Sequence, residues 1–215
     1  MKNILVIDGG PRRNMNTAAL CDAFAEGTKA VSPEIAVEHV RLRDIAFSAS
    51  CLACKLKNSR FTKVCAWKDG LTPVLAKAAD ADGLAFASPI YFGEITAELR
   101  AFLERLLFPW LSYDDGSCNV PRRVPTAFLY TMNGGPEHAA YMRPNQEANE
   151  RLVGMFLEAP ERVEAFRTVQ VADYSRYAMA MLDPDAHLAW RDAHWENDLA
   201  AARAAGRRMA EKALA

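Results

Sequence analysis

A run of polar and cationic residues follows the first apolar stretch of the chain. Ile4–Ile7 leads into Asp8-Gly9-Gly10-Pro11-Arg12, and Asn16-Thr17 stands where a helix can begin and be capped. Free backbone N–H groups at a helix N-terminus attract anions, and guanidinium, amide and hydroxyl groups add donors for phosphate oxygens. We expect one terminal phosphate, as in a mononucleotide, to be bound by Gly10, Pro11, Arg12, Asn16, Thr17 and Ala18.

Two common nucleotide signatures are absent from this first loop. The chain has no G-x-x-x-x-G-K-[ST], which disfavours a P-loop NTPase, and no G-x-G-x-x-G, which leaves a dinucleotide fingerprint unsupported. A polar strand-to-helix turn that binds nothing is the alternative interpretation of this segment.

Two further loops carry residues that suit a flavin ring. Pro89 stiffens the exit from an apolar run, the aromatic residues behind it can stack, and a glycine allows close backbone approach. A later loop offers backbone donors and acceptors for the ring's pyrimidine edge. Core aromatic residues, or an Asn-Gly turn without a ligand, are the alternatives. The predicted ring contacts are Pro89, Ile90, Tyr91, Phe92, Gly93, Thr131, Met132, Asn133 and Gly134.

Alternating strand and helix patterns determine how these loops meet. Short apolar runs predict strands at Ile4–Ile7, Ile35–Leu42, Gly83–Ala87, Thr126–Thr131 and about 164–171. Helical spacing occurs between them, including a helix at about 146–157 and a long one in the tail. Such alternation predicts an α/β fold with a parallel sheet, in which ligands bind beyond the carboxyl ends of the strands. The loops following strands one, three and four therefore converge.

Composition limits the classes of protein. The chain has 215 residues, 51% of them hydrophobic, and a formal net charge of −1, which disfavours nucleic acid as a partner. No apolar stretch approaches the roughly 20 residues of a membrane span, and the N-terminal apolar run is too short for a signal peptide. We expect a single domain over residues 1–215 in the cytoplasm.

The five cysteines, an odd number, disfavour a disulfide framework. Three of them, Cys51, Cys54 and Cys65, fall in a loop at about 43–68 that is unusually long for a compact domain.

The first loop and the ring segment together resemble a known family. Gly10-Pro11-Arg12-x-Asn14-x-Asn16-Thr17 is similar to the phosphate loop of the NADPH-dependent FMN reductase superfamily, and Ser88-Pro89-Ile90-Tyr91-Phe92 is similar to its ring-binding segment. Within that superfamily the chain resembles the iron–sulfur flavoprotein branch. The resemblance implies a flavodoxin-like, doubly wound, five-stranded parallel sheet of order 2-1-3-4-5 with helices on both faces. It also implies bound FMN and a homodimer or homotetramer.

Two positions depart from the family pattern. Gly10 stands where the family usually has Ser, which removes one hydroxyl donor and predicts weaker phosphate binding. The branch's C-x2-C-x2-C-x(several)-C motif supplies four thiolates to a [4Fe–4S] cluster. Cys51 and Cys54 fit its first positions and Cys65 the last, but the third falls on Lys57. We expect no cluster and no other metal at these cysteines, and we expect the loop to act as a lid or subunit contact near the flavin. A three-thiolate cluster, zinc, a Cys51–Cys54 dithiol switch and inert thiols are the alternatives.

The implied activity is an oxidoreductase in which FMN carries the chemistry and no side chain is assigned as catalytic. NADH or NADPH would supply reducing equivalents, and a quinone, free flavin or protein would accept them. An FMN electron carrier that does not use NAD(P)H, and a non-enzymatic binding module, are the alternatives.

Several other residues receive expected roles. His138 is a candidate substrate contact, whereas His39, His187 and His194 are expected to be surface or packing residues. Tyr174 and Tyr177 are candidates for approaching the flavin site. The apolar segment from Phe108 to Tyr113 is either a subunit interface or part of the chain's own core.

Overall fold

Five parallel strands form one sheet in the computed structural model, which describes residues 1–57 and 64–215. The strands are β1 (Lys2–Asp8), β2 (Ile35–Arg41), β3 (Gly83–Pro89), β4 (Thr126–Thr131) and β5 (Glu161–Ala165). The helices are α1 (Asn16–Lys29), α2 (Thr72–Asp80), α3 (Ala97–Leu107), α4 (Ala139–Phe156) and α5 (Pro184–Leu214). The order β2-β1-β3-β4-β5 is the predicted one, with β1 and β3 adjacent where the strand order reverses.

Both faces of the sheet are covered, which explains why the strands are apolar runs rather than alternating ones. Leu5 and Ile7 of β1 belong to a core packed against α2, α3 and α4. Ile4 and Val6 belong to a second core packed against α1 and α5. Every residue of β4 is buried, so the sheet is a rigid base for the loops at its carboxyl edge.

Helices α1 and α5 approach each other through glycine. A Cβ on Gly27 would lie 1.9 Å from the Arg203 carbonyl oxygen, and one on Gly206 would lie 2.1 Å from the Phe24 carbonyl oxygen. No larger side chain fits between these backbones, so the two glycines set the spacing of the pair.

Several predicted boundaries are wrong. Helix α4 begins at Ala139, before the expected residue 146, and continues through Pro144. Strand β5 spans 161–165 rather than 164–171, and Arg167 has a positive φ of 47°, which ends the extended path. Asn16 and Thr17 do not cap α1, whose N-cap residue Met15 makes no side-chain capping bond.

The segment from Phe108 to Tyr113 is divided between core and surface. Trp110 is buried and packs against Phe156, with ring centroids 6.4 Å apart, whereas Tyr113 is exposed. The part of this segment around Trp110 therefore folds onto the chain's own core.

Among residues 1–57 and 64–215, no helix combines the length and hydrophobicity needed to cross a lipid bilayer.

Candidate functional site

A cleft lies at the carboxyl edge of the sheet, where β1, β3 and β4 end. This is the position where open α/β sheets bind ligands, outside the point at which strand order reverses. Its lining residues come from four loops: Gly10, Pro11, Arg12, Met15, Asn16, Thr17, Pro89, Ile90, Tyr91, Thr131, Met132, Asn133, Thr168 and Gln170. Of the predicted ligand contacts, Ala18, Phe92, Gly93 and Gly134 do not line it.

The first loop enters the cleft along a tight backbone path. The Gly9 amide donates to the Ala87 carbonyl (2.8 Å), and the Gly10 amide donates to Asp8 Oδ1 (2.7 Å). A Cβ on Gly10 would lie 2.8 Å from the same Asp8 oxygen and 3.1 Å from Thr17 Cβ. The buried Asp8 carboxylate therefore leaves no room for a serine side chain at position 10, which explains the glycine there.

The N-terminus of α1 opens into the cleft without a side-chain cap. Its first turn contains no acidic residue, and the Met15 side chain makes no capping hydrogen bond. The first amides of a helix have no acceptor within the helix, and the helix dipole adds partial positive charge there. Together with Arg12, these amides form a donor set that fits the phosphate of FMN.

The predicted phosphate ligands already have partners within the protein. Asn16 Nδ2 donates to the Val169 carbonyl (2.8 Å), and the hydroxyls of Thr17 and Thr131 share a hydrogen bond (2.8 Å). Asn16 and Thr17 therefore tie the first loop to the segments that follow β5 and end β4. This bracing is a role that the sequence did not predict for these two residues.

Arg12 extends towards the segment after β5. Its Nη1 donates to the Gln170 carbonyl, which leaves its other N–H groups available to an anion. Gln170 is held in place by Tyr174. The backbone N–H of Gln170 donates to the Tyr174 hydroxyl, and that hydroxyl donates to Gln170 Oε1, both at 3.1 Å. Tyr174 therefore reaches the cleft through Gln170, whereas Tyr177 is exposed and does not line the cleft.

The third-strand loop differs most from expectation. Tyr91 is about half exposed and lines the cleft, where its ring is available for stacking. Phe92 and Gly93 have φ values of 52° and 81°, and Tyr91 and Glu94 exchange two backbone hydrogen bonds around them. Positive φ at both central residues defines a tight turn that places Phe92 fully in solvent. Gly93 serves this turn and faces Tyr141 rather than the cleft.

The fourth-strand loop connects the cleft to α5. Asn133 Oδ1 lies 2.9 Å from His187 Nε2, and His187 Nδ1 lies 3.0 Å from the Asp183 carbonyl oxygen. His187 is buried, whereas the predicted substrate contact His138 is exposed and pairs with Glu137. The structure therefore connects His187, and not His138, to the cleft. Nothing in the local sequence indicates this, because the two partners are 54 residues apart.

The described part of the cysteine loop lies against α3 rather than over the cleft. The buried Arg105 of α3 donates to Asp69 Oδ2 (2.6 Å), to the carbonyls of Ser48 and Trp67 (3.1 Å each) and to Cys65 Sγ (3.3 Å). Burial alone would raise the pKa of Asp69, but its hydrogen bonds, led by the one from Arg105, lower it. No described residue of the loop lines the cleft, so the expected lid is not found in that part of the chain.

The donor set of this loop does not fit a four-thiolate cluster. Burial raises the pKa of the Cys54 thiol, Lys55 opposes the shift, and Cys65 and Cys51 add to it. Cys51 is exposed, Cys65 accepts from Arg105, and Lys57 occupies the third position of the motif. Residues 58–63 lie outside the described residues and include no cysteine. We therefore assign no step to an iron–sulfur cluster.

Comparison with known families and sequences gives matches over much of the chain. The family model described as NADPH-dependent FMN reductase matches residues 2–153. An iron–sulfur flavoprotein of Archaeoglobus fulgidus is 30% identical over 139 residues, which cover 64% of each chain. One from Methanocaldococcus jannaschii is 30% identical over 103 residues, covering 47% of this chain and 50% of that protein. The chain thus spans less than two thirds of the length of these relatives.

Solved structures with the same fold are more distant in sequence. An FMN-dependent NADH-azoreductase from Bacillus anthracis, in complex with FMN, superposes with a TM-score of 0.68 at 14% identity, covering 97% of this chain and all of that one. An NAD(P)H:quinone oxidoreductase from Methanothermobacter marburgensis gives a TM-score of 0.63 at 18% identity, covering 96% of both chains. At these identities the likeness is one of fold.

Proposed function

Because the chain belongs to the NADPH-dependent FMN reductase family, we propose that it binds FMN in the cleft and oxidises NADH or NADPH. The observation that carries the proposal is the uncapped N-terminus of α1 beside Arg12, at the edge of the sheet where strand order reverses. A phosphate there would meet backbone N–H groups and a guanidinium, and the ring would lie towards β3 and β4.

The chain's own residues would bind and orient the cofactor. Bound FMN would supply hydride and electron transfer, which no side chain of the cleft can perform. Tyr91 offers an aromatic surface for the ring, while Pro89 and Ile90 form an apolar wall. The Asn133 amide offers a polar group to the ring's edge, held in place by His187.

Reduction of the bound FMN by NADPH or NADH is the direct test of the proposed activity. Purified protein loaded with FMN is mixed anaerobically with NADPH or NADH in a stopped-flow instrument, and flavin absorbance is followed. We expect rapid bleaching with at least one nucleotide, and dithionite serves as the control for a reducible flavin. Bleaching by dithionite alone would refute the reductase activity.

An electron carrier is the second candidate, favoured by the relatives that are iron–sulfur flavoproteins. Such a protein would bind FMN in the same cleft but exchange electrons with a protein partner. Bleaching by dithionite without bleaching by nucleotides is the outcome that this candidate predicts. The acceptor in the leading proposal is a quinone, a free flavin or a protein.

We also infer a homodimer or homotetramer. An apolar groove of about 520 Å³ lies between α3 and α4. Its apolar lining is Leu103, Leu107, Phe108, Leu111, Leu152, Met155 and Phe156. Of these residues Met155 is 60% exposed, and apolar side chains exposed at a groove are typical of interfaces. A monomeric mass by light scattering at micromolar concentration would contradict the inference.

A further inference from the structure

Three side chains of metal-binding type meet beneath the first loop, outside the residues that line the cleft. Asp8 at the end of β1, Cys21 in α1 and His39 in β2 bring an oxygen, a sulfur and a nitrogen atom within 4.8 Å of one another. Asp8 and Cys21 are buried, and the His39 side chain is 17% exposed. We propose that these residues bind a divalent transition-metal ion of the zinc class. The proposal does not depend on flavin binding.

The separation of the ligand atoms suits tetrahedral coordination. His39 Nε2 lies 3.2 Å from Asp8 Oδ2. Zinc bonds of about 2.0–2.2 Å at tetrahedral angles place neighbouring nitrogen and oxygen ligands about 3.3 Å apart. A charge-assisted hydrogen bond gives a similar distance, and the Cys21 sulfur within 4.8 Å of both atoms supplies the third ligand.

The second ring nitrogen of His39 faces another carboxylate. His39 Nδ1 lies 3.3 Å from Asp22 Oδ1. A neutral imidazole carries one N–H, so without a metal it would turn a lone pair towards one of the two carboxylates unless the ring were charged. With a metal on Nε2, the Nδ1–H donates to Asp22. A carboxylate on the remote nitrogen is the usual surrounding of a metal-bound histidine.

The charges of the group are compatible with a divalent ion. Cys21 is buried and supplies a free thiol. A metal ion would displace the thiol proton, so one proton leaves as the sulfur–metal bond forms. The thiolate and the Asp8 carboxylate then balance the two charges of the ion. Three protein ligands leave one tetrahedral position for water.

The position of the group links the metal to the first loop. Asp8 Oδ1 accepts the Gly10 amide at 2.7 Å, and a metal on Oδ2 leaves that bond intact. The ion would fasten β1, α1 and β2 together directly below the loop. We therefore expect the metal-bound protein to unfold at a higher temperature than the metal-free protein.

Cobalt titration tests the site, because a thiolate ligand gives Co²⁺ a charge-transfer absorption band. The other cysteines are first replaced by serine, so that Cys21 is the remaining thiol (Cys51→Ser, Cys54→Ser, Cys65→Ser, Cys118→Ser). This full-length variant is stripped with a chelator and titrated anaerobically with Co²⁺. We expect the band to saturate at one equivalent and to disappear when Zn²⁺ is added.

Two substitutions in that background locate the ligands. His39→Gln should abolish the band, and Asp22→Asn should keep it but weaken Co²⁺ binding by about tenfold, as loss of an outer carboxylate does. No thiolate band in the serine background, or a band that His39→Gln leaves unchanged, would overturn the proposal.

If circular dichroism shows that the variant with four serine substitutions is unfolded, a second comparison replaces the cobalt titration. The chain with all its cysteines and its His39→Gln variant are saturated with Zn²⁺, dialysed and analysed for zinc. We expect the variant to hold one ion fewer per chain, and equal zinc contents would overturn the proposal.

Discussion

Arg12 and Arg13 are adjacent in the sequence but occupy different environments. Arg12 lines the cleft, whereas the Arg13 side chain is 69% exposed and pairs with Asp44 at 2.9 Å. If Arg12 holds the FMN phosphate, Arg12→Ala removes a charge-assisted hydrogen bond of about 1.5–3 kcal/mol. FMN should then bind at least about tenfold more weakly, as measured by flavin fluorescence titration.

Riboflavin, which lacks the phosphate, is the ligand control for this prediction, and Arg13→Ala is the matched variant. Riboflavin affinity should change far less in Arg12→Ala, and Arg13→Ala should leave both affinities near their starting values. Equal losses of FMN and riboflavin in Arg12→Ala would place the phosphate elsewhere.

His187 should act on the cofactor through Asn133. Removing the ring in His187→Ala leaves the Asn133 side chain without the partner that lies 2.9 Å away. A neutral hydrogen bond contributes about 0.5–1.5 kcal/mol net, so FMN affinity should fall by about twofold to tenfold. His187→Gln, which retains a donor and an acceptor, should recover part of the loss.

The exposed His138 provides the comparison for His187. His138→Ala should leave FMN affinity unchanged, because this residue contacts Glu137 at the surface and does not line the cleft. A larger loss in His138→Ala than in His187→Ala would restore the interpretation suggested by the sequence.

The sequence predicts the position of a residue best when its immediate neighbours in the chain determine that position. Arg12, Tyr91 and Asn133 follow the ends of strands within four residues, and the structure places all three on the cleft. Thr168 and Gln170 reach the cleft only because β5 pairs with β4, and no motif marks them. Phe92 lies outside the cleft lining for a conformational reason that the sequence does not show, since the turn with its positive φ exposes the side chain to solvent.

At the scale of elements, the packing of α1 on α5 gives a sharp prediction. Gly206→Ala would place a methyl group 2.1 Å from the Phe24 carbonyl oxygen, so the helices must separate. We expect destabilisation of at least about 2 kcal/mol, in the range of overpacked cores. Urea unfolding followed by circular dichroism measures the change.

Gly154 in α4 is the matched control for Gly206. A Cβ there meets nothing closer than 3.8 Å, and alanine is favoured over glycine inside a helix by up to about 1 kcal/mol. Gly154→Ala should therefore be neutral or stabilising. Equal stability of Gly206→Ala and Gly154→Ala would show that the α1–α5 contact is looser than described.

The predicted elements were most accurate where packing and propensity agree. Thr126–Thr131 is the predicted fourth strand without change, because all six residues are apolar or β-branched and buried. The fifth strand was predicted too far along the chain. The β-branched Val169 and Val171 are typical of strands, although they lie in the loop that follows β5. Val169 is buried there without pairing in the sheet, a tertiary effect that local patterns do not reveal.

At the scale of the whole molecule, alternation and resemblance contributed different information. Alternating apolar runs and helical stripes predict a parallel sheet, but several strand orders satisfy them. The order 2-1-3-4-5 was implied by the resemblance, which rests on the residues around Gly10 and Pro89. The contact of α5 with the cleft followed from neither, because it joins His187 to Asn133, two residues that are 54 positions apart and belong to no shared motif.

Iron content tests how far the chain has departed from its iron–sulfur relatives. Three thiols and Lys57 cannot supply the four thiolates of a cubane, and Arg105 already donates to Cys65. We expect protein purified anaerobically to contain far less than four iron and four sulfide per chain. Values close to four of each would contradict this expectation.

Lys57→Cys supplies the missing position and sharpens the same test. Lys57 is exposed, so its replacement should not disturb the core, and the variant should gain iron and sulfide on anaerobic reconstitution. Leu56→Cys is the matched control, because Leu56 is also exposed and a thiol there lies outside the C-x2-C-x2-C spacing. Gain of a cluster by Lys57→Cys alone would show that this one position separates the chain from the cluster-bearing branch. Equal gains in both variants would show that spacing is unimportant.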